Sequence, residues 1–243
     1  MRAFGLIGYP LGHSFSKKYF TAKFEREGIT ENVYELYPLE QIGQLKDLLV
    51  SNPDLLGLNV TIPYKEQVIA YLDSMSPVVQ EIGACNCISI EDGQLIGHNT
   101  DVIGFSRSLL TKLKPHHKQA LIFGTGGSAK AVAYTLKEMN IPFLQVSRTP
   151  TKEMIAYEDI DQSILDVHTL LINTSPVGMY PDVTKAPAIP YAFIGADHYL
   201  FDLVYNPART RFLQEGALRG AAVENGSDML VIQAEASWEI WNS

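Results

Sequence analysis

The feature that most constrains this fold is a glycine run set between a buried strand and a helix. Residues 120–123, Ala-Leu-Ile-Phe, are continuously apolar, the pattern of a strand covered on both faces. Gly124-Thr125-Gly126-Gly127-Ser128-Ala129 follows, then a helical pattern over 128–139 and a second strand at 143–146. Strand, turn, helix and strand make a βαβ unit, which builds parallel sheet. In that setting G-x-G-x-x-A has a mechanical meaning. Gly124 makes the tight turn, Gly126 lets backbone amides approach a pyrophosphate, and Ala129 lets the helix lie close on the strand. The helix N-terminus adds unpaired N–H groups and a positive dipole end. The loop therefore implies a bound dinucleotide and an oxidoreductase.

The end of the second strand tells which dinucleotide. An NAD site usually places Asp or Glu there, on the adenosine ribose. This chain has Ser147-Arg148-Thr149, with Lys152 close behind. A guanidinium stands where the acid is expected, and guanidinium matches a 2′-phosphate by paired hydrogen bonds. The expected cofactor is NADP.

Around this unit, strand-like and helix-like segments alternate along the chain, which predicts an α/β protein. Strands are predicted at 3–9, 33–37 and 56–61, with helices at 16–27, 40–51 and 64–72. A hairpin follows at 86–91 and 94–98, turning on Asp92-Gly93. Thr100 is placed to cap a helix starting at Asp101. The polar stretch Lys114-Pro115-His116-His117-Lys118 reads as a solvated linker. Further strands are predicted at 169–172, 199–203 and 221–223, and a final helix at 228–241. The expected organisation is an N-terminal α/β domain with a mixed sheet, residues 1–100 plus 228–243, and a Rossmann-like doubly wound domain, residues 101–227.

Bulk composition removes several classes of function. Hydrophobic residues are 46% and charged residues 19% of the 243, so the chain can bury a core and disorder is set aside. A net charge of −8 without a basic run argues against nucleic acid. No stretch of about eighteen apolar residues predicts a membrane span, and the expected location is the cytoplasm. The two cysteines, Cys85 and Cys87, lack the neighbouring ligands a zinc site needs and sit too close for a good disulfide. They read as buried thiols, and no metal is expected.

A second group of polar residues lies at predicted strand ends in the N-terminal region. Ser14 and Ser16 leave the first strand, and hydroxyls there suit either helix capping or a polyhydroxylated, carboxylated ligand. Asn59 and Thr61 share a face by the strand period. Lys65 falls in the first turn of the helix predicted at 64–72, where the dipole disfavours a cation. Asn86 opens the predicted hairpin, and Asp101 opens the helix after it. Ser, Asn, Thr, Lys and Asp together make a polar site with one acid and one base.

The motifs G-Y-P-L-G-H-S-F-S, N-V-T-I-P-Y-K, G-A-C-N, N-T-D, G-T-G-G-S-A, S-R-T, N-T-S-P-V-G-M, D-L-V-Y-N-P and M-L-V-I-Q occur in that order over nearly the whole chain. In order and spacing the sequence resembles the shikimate dehydrogenase family, whose members reduce 3-dehydroshikimate to shikimate with NADPH on the route to chorismate and aromatic amino acids. The resemblance implies Lys65 and Asp101 as the catalytic pair, with Lys65 an acid/base or a fixed cation. It implies Ser14, Ser16, Asn59, Thr61, Asn86, Tyr205 and Gln233 at the substrate. It implies Gly124, Thr125, Gly126, Gly127, Ser128, Ala129, Ser147, Arg148, Thr149, Lys152, Leu203 and Gly226 at NADP. A monomer or homodimer acting on a small molecule is expected.

The chain departs from the family pattern in a few places. Ser147 and Lys152 stand where Asn and Arg are frequent, and Asp228 where glycine is. The segment 152–169 is short, so a helix there is expected to be reduced or absent. Two rivals are a quinate/shikimate dehydrogenase using NAD or NADP and a non-catalytic NADP-binding regulatory relative.

Overall fold

The structure, a computed structural model, describes residues 1–12 and 14–243; His13, inside the first motif, lies outside them. In chain order the first elements are β1 (Arg2–Gly8), α1 (Phe15–Glu27), β2 (Asn32–Pro38), α2 (Leu45–Ser51), β3 (Leu55–Val60) and β4 (Ser74–Met75). Then come α3 (Pro77–Ile82), β5 (Cys87–Glu91), β6 (Gln94–His98), α4 (Asp101–Leu109), β7 (Ala120–Phe123) and α5 (Gly127–Glu138). The rest are β8 (Phe143–Val146), β9 (Met154–Ile155), α6 (Gln162–Val167), β10 (Leu170–Asn173), β11 (Tyr199–Asp202), α7 (Arg211–Leu218), β12 (Ala222–Asn225) and α8 (Ser227–Ile240). The chain divides into two compact units, Met1–Ile103 with Leu230–Ser243, and Gly104–Met229.

The first unit is built on a six-stranded sheet of order β2-β1-β3-β5-β6-β4. Strands β2, β1 and β3 run parallel, while β5 is antiparallel to both β3 and β6. The strand period of two sends alternate side chains to opposite faces. Ile7, Leu58, Val60 and Ile88 pack with Leu45, Val68 and Val79 on one side. Phe4, Leu6 and Cys87 pack with Phe20, Phe24, Ala234 and Trp241 on the other. That second face is an aromatic stack: Phe4 lies 4.9 Å from Trp241 and Phe20 lies 4.5 Å from Tyr34, centroid to centroid. Trp241 reaches the sheet because Gly57 has no side chain; a Cβ there would fall inside the indole. The indole N–H then donates to the Ile88 carbonyl at 2.9 Å. Lys23 ties α1 to α8 through Glu235 at 2.9 Å.

In the second unit six parallel strands lie in the order β12-β11-β10-β7-β8-β9. Both faces are covered, as the uninterrupted apolar strands require. Ala120, Ile122, Leu170, Ile172, Tyr199 and Phe201 enter one core. Leu121, Phe123, Leu171 and Leu200 enter the other. The α/β class with one mixed and one doubly wound sheet is as expected from the sequence.

Several local expectations are corrected. Residues 64–72 do not form an α-helix; a short 3₁₀ turn covers Gln67–Tyr71. The Lys65 carbonyl, which a helix would give to residue 69, instead accepts the Cys85 N–H at 2.7 Å. Lys65 is therefore not a cation against a helix dipole. The helix at 40–51 is split into a 3₁₀ turn, Ile42–Gln44, and α2. Helix α3, unanticipated, carries readable signals: Ser76 accepts the Val79 N–H, Pro77 opens the helix and Gly83 closes it. Helix α6 is present in the short segment, but only 6 residues long. The cysteines are buried and unpaired, as expected.

The linker reading fails at His117, which is 4% exposed. Its Nδ1 accepts the Lys114 N–H at 2.9 Å, and the ring lies 5.6 Å from Tyr199. Burial holds its pKa down at about 4, against 6.5 for a free histidine. The fold thus binds fewer protons than the unfolded chain in that window. This contribution to stability is full above pH 6.5 and is lost as pH falls toward about 4. Thermal midpoints followed over that range should drop less steeply in His117→Asn than in the wild type.

Candidate active site

Strand register explains why the polar residues of the first unit converge. Asn59 of β3 pairs with Cys87 of β5, and Cys87 with His98 of β6. Because β5 runs opposite to its neighbours, the exits of β3 and β6 and the entry of β5 share one sheet edge. Thr61, Lys65, Asn86, Thr100 and Asp101 all lie just beyond it.

At that edge the Lys65 ammonium donates to Asp101 Oδ2 at 2.5 Å. The side chains are 14% and 8% exposed, so water weakens the pair far less than it would a surface salt bridge. Asp101 Oδ1 accepts the Asn86 amide at 2.9 Å. The orientation of Asn86 follows from a neighbour: the Thr100 N–H can only donate, and it meets Asn86 Oδ1 at 2.6 Å. The amide nitrogen must then face Asp101 and Thr100 Oγ1, the latter at 3.0 Å.

Behind the pair lies a buried polar wall. Thr100 Oγ1 lies 3.2 Å from Ser237 Oγ on α8. Asn59 donates to Ser237 at 2.9 Å and accepts from the Tyr34 hydroxyl at 2.8 Å. Ser16 hydrogen-bonds Tyr34 in turn. Gln233, 6% exposed, comes within 3.5 Å of the Thr100 hydroxyl. Asn59, expected at the substrate, has its amide committed inside this wall. Ser14 occupies the N-cap position of α1 and makes no side-chain capping bond. Thr61 is half-buried, its N–H given to Ile7.

Sequence reasoning missed Thr100, Ser237 and Tyr34 as members of this arrangement. Thr100 was expected to cap α4, but it is Asn99 Oδ1 that accepts the Val102 N–H, at 3.4 Å. A usable signal existed for Ser237: it lies one helical turn from Gln233, on a helix face otherwise rich in apolar residues.

In the second unit the paired residues Asn225, Asp202, Asn173, Phe123 and Val146 form one row across the sheet. Gly124, Ser147, Thr174, Leu203 and Gly226 each stand one step past it, at the carboxyl ends of the strands where dinucleotides bind in such sheets. Tyr205, half-buried, also belongs to this unit.

Gly124 has φ +127°, and a side chain there would strike Thr174 Oγ1. The Gly124 carbonyl is pinned by Gln145 Nε2 at 2.8 Å. Gly126 is the N-cap of α5, with no side-chain cap and no acid in the first turn. A Cβ on Gly126 would meet nothing within 4 Å, so there is open space beside the N-cap of α5. Ala129, 1% exposed, packs α5 onto the sheet. Arg148, Thr149 and Lys152 are exposed. Among the described residues no carboxylate pairs with Arg148 or Lys152. Such a loop, helix end and free cations fit a phosphorylated dinucleotide.

A buried knot supports the neighbouring loops. Asp202 accepts from Asn173 at 2.9 Å, from the Val204 N–H at 3.0 Å and from Thr210 at 2.5 Å. Burial without a cation raises its pKa to about 6. No cluster of candidate metal ligands occurs among the described residues, and none of their helices is long and apolar enough to cross a membrane.

Comparison with known proteins bears on both units. Residues 6–88 match the family described as shikimate dehydrogenase substrate binding domain. The shikimate dehydrogenase (NADP⁺) of Caldicellulosiruptor bescii is 33% identical, over 99% of this chain and 89% of its own length. That of Methanococcus vannielii is 36% identical, over 98% and 90%. The Thermus thermophilus shikimate 5-dehydrogenase, crystallised with NADP(H) and shikimate, superposes with a TM-score of 0.88 at 31% identity, covering 99% of this chain and 93% of that one.

Proposed function

We infer the activity from one premise: the chain belongs to the shikimate dehydrogenase family. It is an NADP-dependent oxidoreductase that reversibly reduces 3-dehydroshikimate to shikimate, in the biosynthesis of chorismate and aromatic amino acids. The observation that carries this reading is the Lys65–Asp101 pair, 2.5 Å apart and held by Asn86.

When bound, NADPH supplies a hydride to the ketone carbon. This chain's residues manage the charge that results. As the carbonyl oxygen gains negative charge, Lys65 donates a hydrogen bond and then a proton to it. Asp101 holds the ammonium in place and keeps it beside the reacting oxygen. In the reverse direction Lys65 takes the hydroxyl proton. Ser14 and Ser16 supply hydroxyls at the start of α1 for the substrate carboxylate, and Thr61 and Gln233 add contacts from the same unit. Asn86 reaches the substrate through Asp101, and Asn59 supports the wall from behind.

For the cofactor, the first amides of α5 receive the pyrophosphate and Arg148 with Lys152 receives the 2′-phosphate. Thr125, Ser147 and Thr149 border it, and Leu203 and Gly226 lie along the same edge. The free buried thiols support a cytoplasmic location.

Initial rates with shikimate and quinate, each with NADP and with NAD, test the proposal. Shikimate with NADP should exceed every other combination by about tenfold or more in kcat/KM, as a site built around buried polar partners discriminates. Equal rates with quinate and NAD would favour the broader rival instead.

A further inference from the structure

We propose that Ser237 is a positioning residue for the catalytic pair, acting on Asp101 through Thr100 and Asn86; the role rests on the activity proposed above. The donor directions in the buried wall lead to it. Asn86 spends both amide hydrogens, on Asp101 Oδ1 at 2.9 Å and Thr100 Oγ1 at 3.0 Å. Thr100 Oγ1, having accepted from Asn86, has Ser237 Oγ as the nearest acceptor for its own proton, at 3.2 Å against 3.3 Å for Asn86 Oδ1 and 3.5 Å for Gln233 Oε1. Ser237 is free to accept because its proton goes to the Gln233 carbonyl one turn back, at 2.9 Å. A second donor, Asn59 Nδ2 at 2.9 Å, fixes Ser237 from the other side.

Ser237 and Thr100 are both fully buried, so no water replaces a lost partner without disturbing the packing. Removing the Ser237 hydroxyl frees the Thr100 rotor to turn toward Asn86 Oδ1, 3.3 Å away. Asn86 then loses its second acceptor, and the amide that donates to Asp101 Oδ1 is held less firmly. Small misplacements of this kind reduce turnover more than binding.

The test uses the full chain with 3-dehydroshikimate and NADPH. Ser237→Ala and Thr100→Val are each expected to lower kcat by about tenfold and to leave KM for 3-dehydroshikimate within about twofold. NADPH binding, followed by fluorescence titration, should be unchanged in both. If Ser237 acts through Thr100, the double variant is no slower than Thr100→Val alone. Thr100→Ser, which keeps the hydroxyl, should restore turnover.

Wild-type kcat in Ser237→Ala, or a double variant as slow as the product of the two single effects, overturns the role. Should Ser237→Ala fail to fold, equal kcat in Thr100→Val and Thr100→Ser overturns it instead. A wild type inert toward 3-dehydroshikimate overturns both the activity and the role. An active wild type matched by Ser237→Ala overturns the role alone.

Discussion

Lys65→Ala is expected to cut kcat by ~10²–10⁴ while substrate still binds. The size follows from what the ammonium is asked to do: meet a developing alkoxide in a site where little water can substitute for it. Its side chain is 14% exposed and its partner Asp101 8%. Truncation also leaves the Asp101 carboxylate with Asn86 as its remaining partner in the pair's network, so some stability is lost with the activity. Thermal midpoints and shikimate binding separate the two effects. Lys65→Arg distinguishes the roles left open by the sequence. Guanidinium keeps the charge but does not give up a proton near neutral pH. A fixed cation would be largely rescued by arginine; a proton donor would not. Turnover near wild type in Lys65→Ala would remove the residue from the mechanism.

Arg148→Ala should raise KM for NADP by about 10–100-fold and leave KM for NAD within about twofold. Charge-assisted hydrogen bonds to a phosphate contribute roughly 1.5–3 kcal/mol, which sets that range. The residue is exposed at the end of β8 without a carboxylate partner among the described residues, and Tyr157 lies within reach of its charge. Its guanidinium is thus not already committed to the protein. The turn carrying it is shaped locally, Ser147 Oγ accepting the Thr149 N–H at 3.2 Å. Lys152 retains positive charge nearby, so discrimination should be reduced rather than abolished. Parallel loss with NADP and NAD would mean that the loop had moved, and the assignment to the 2′-phosphate would fall.

What could be read from the sequence was what depends on near neighbours. The glycine loop, its buried strand and its helix lie within about twenty residues and obey sharp periodicities. The hairpin turned at Asp92-Gly93, both residues having positive φ. Failures came where a distant group captured a local one. The helix expected over 64–72 gave way because Cys85 takes the Lys65 carbonyl. His117 left its solvated linker for a pocket beside Tyr199. Thr100 abandoned capping for Asn86 and for Ser237, 137 positions away. No window along the chain contains that last contact. Lys65 drew notice in the sequence for a helix dipole that the fold does not supply, and its proposed pairing with Asp101 came from the family motifs; the wall behind them is made of ordinary serine, threonine and asparagine.

Gly57 and Trp241 carry a consequence for descent. The indole fills the space a side chain at 57 would need, while its N–H is spent on Ile88. Neither position can drift alone: enlarging the first evicts the ring, and shrinking the second opens a hole against β3. Substitution there should proceed in pairs among relatives, with a lineage that loses the tryptophan free to place a larger residue on the strand. The inheritance of one strand position is thereby bound to that of a residue 184 places later in the chain.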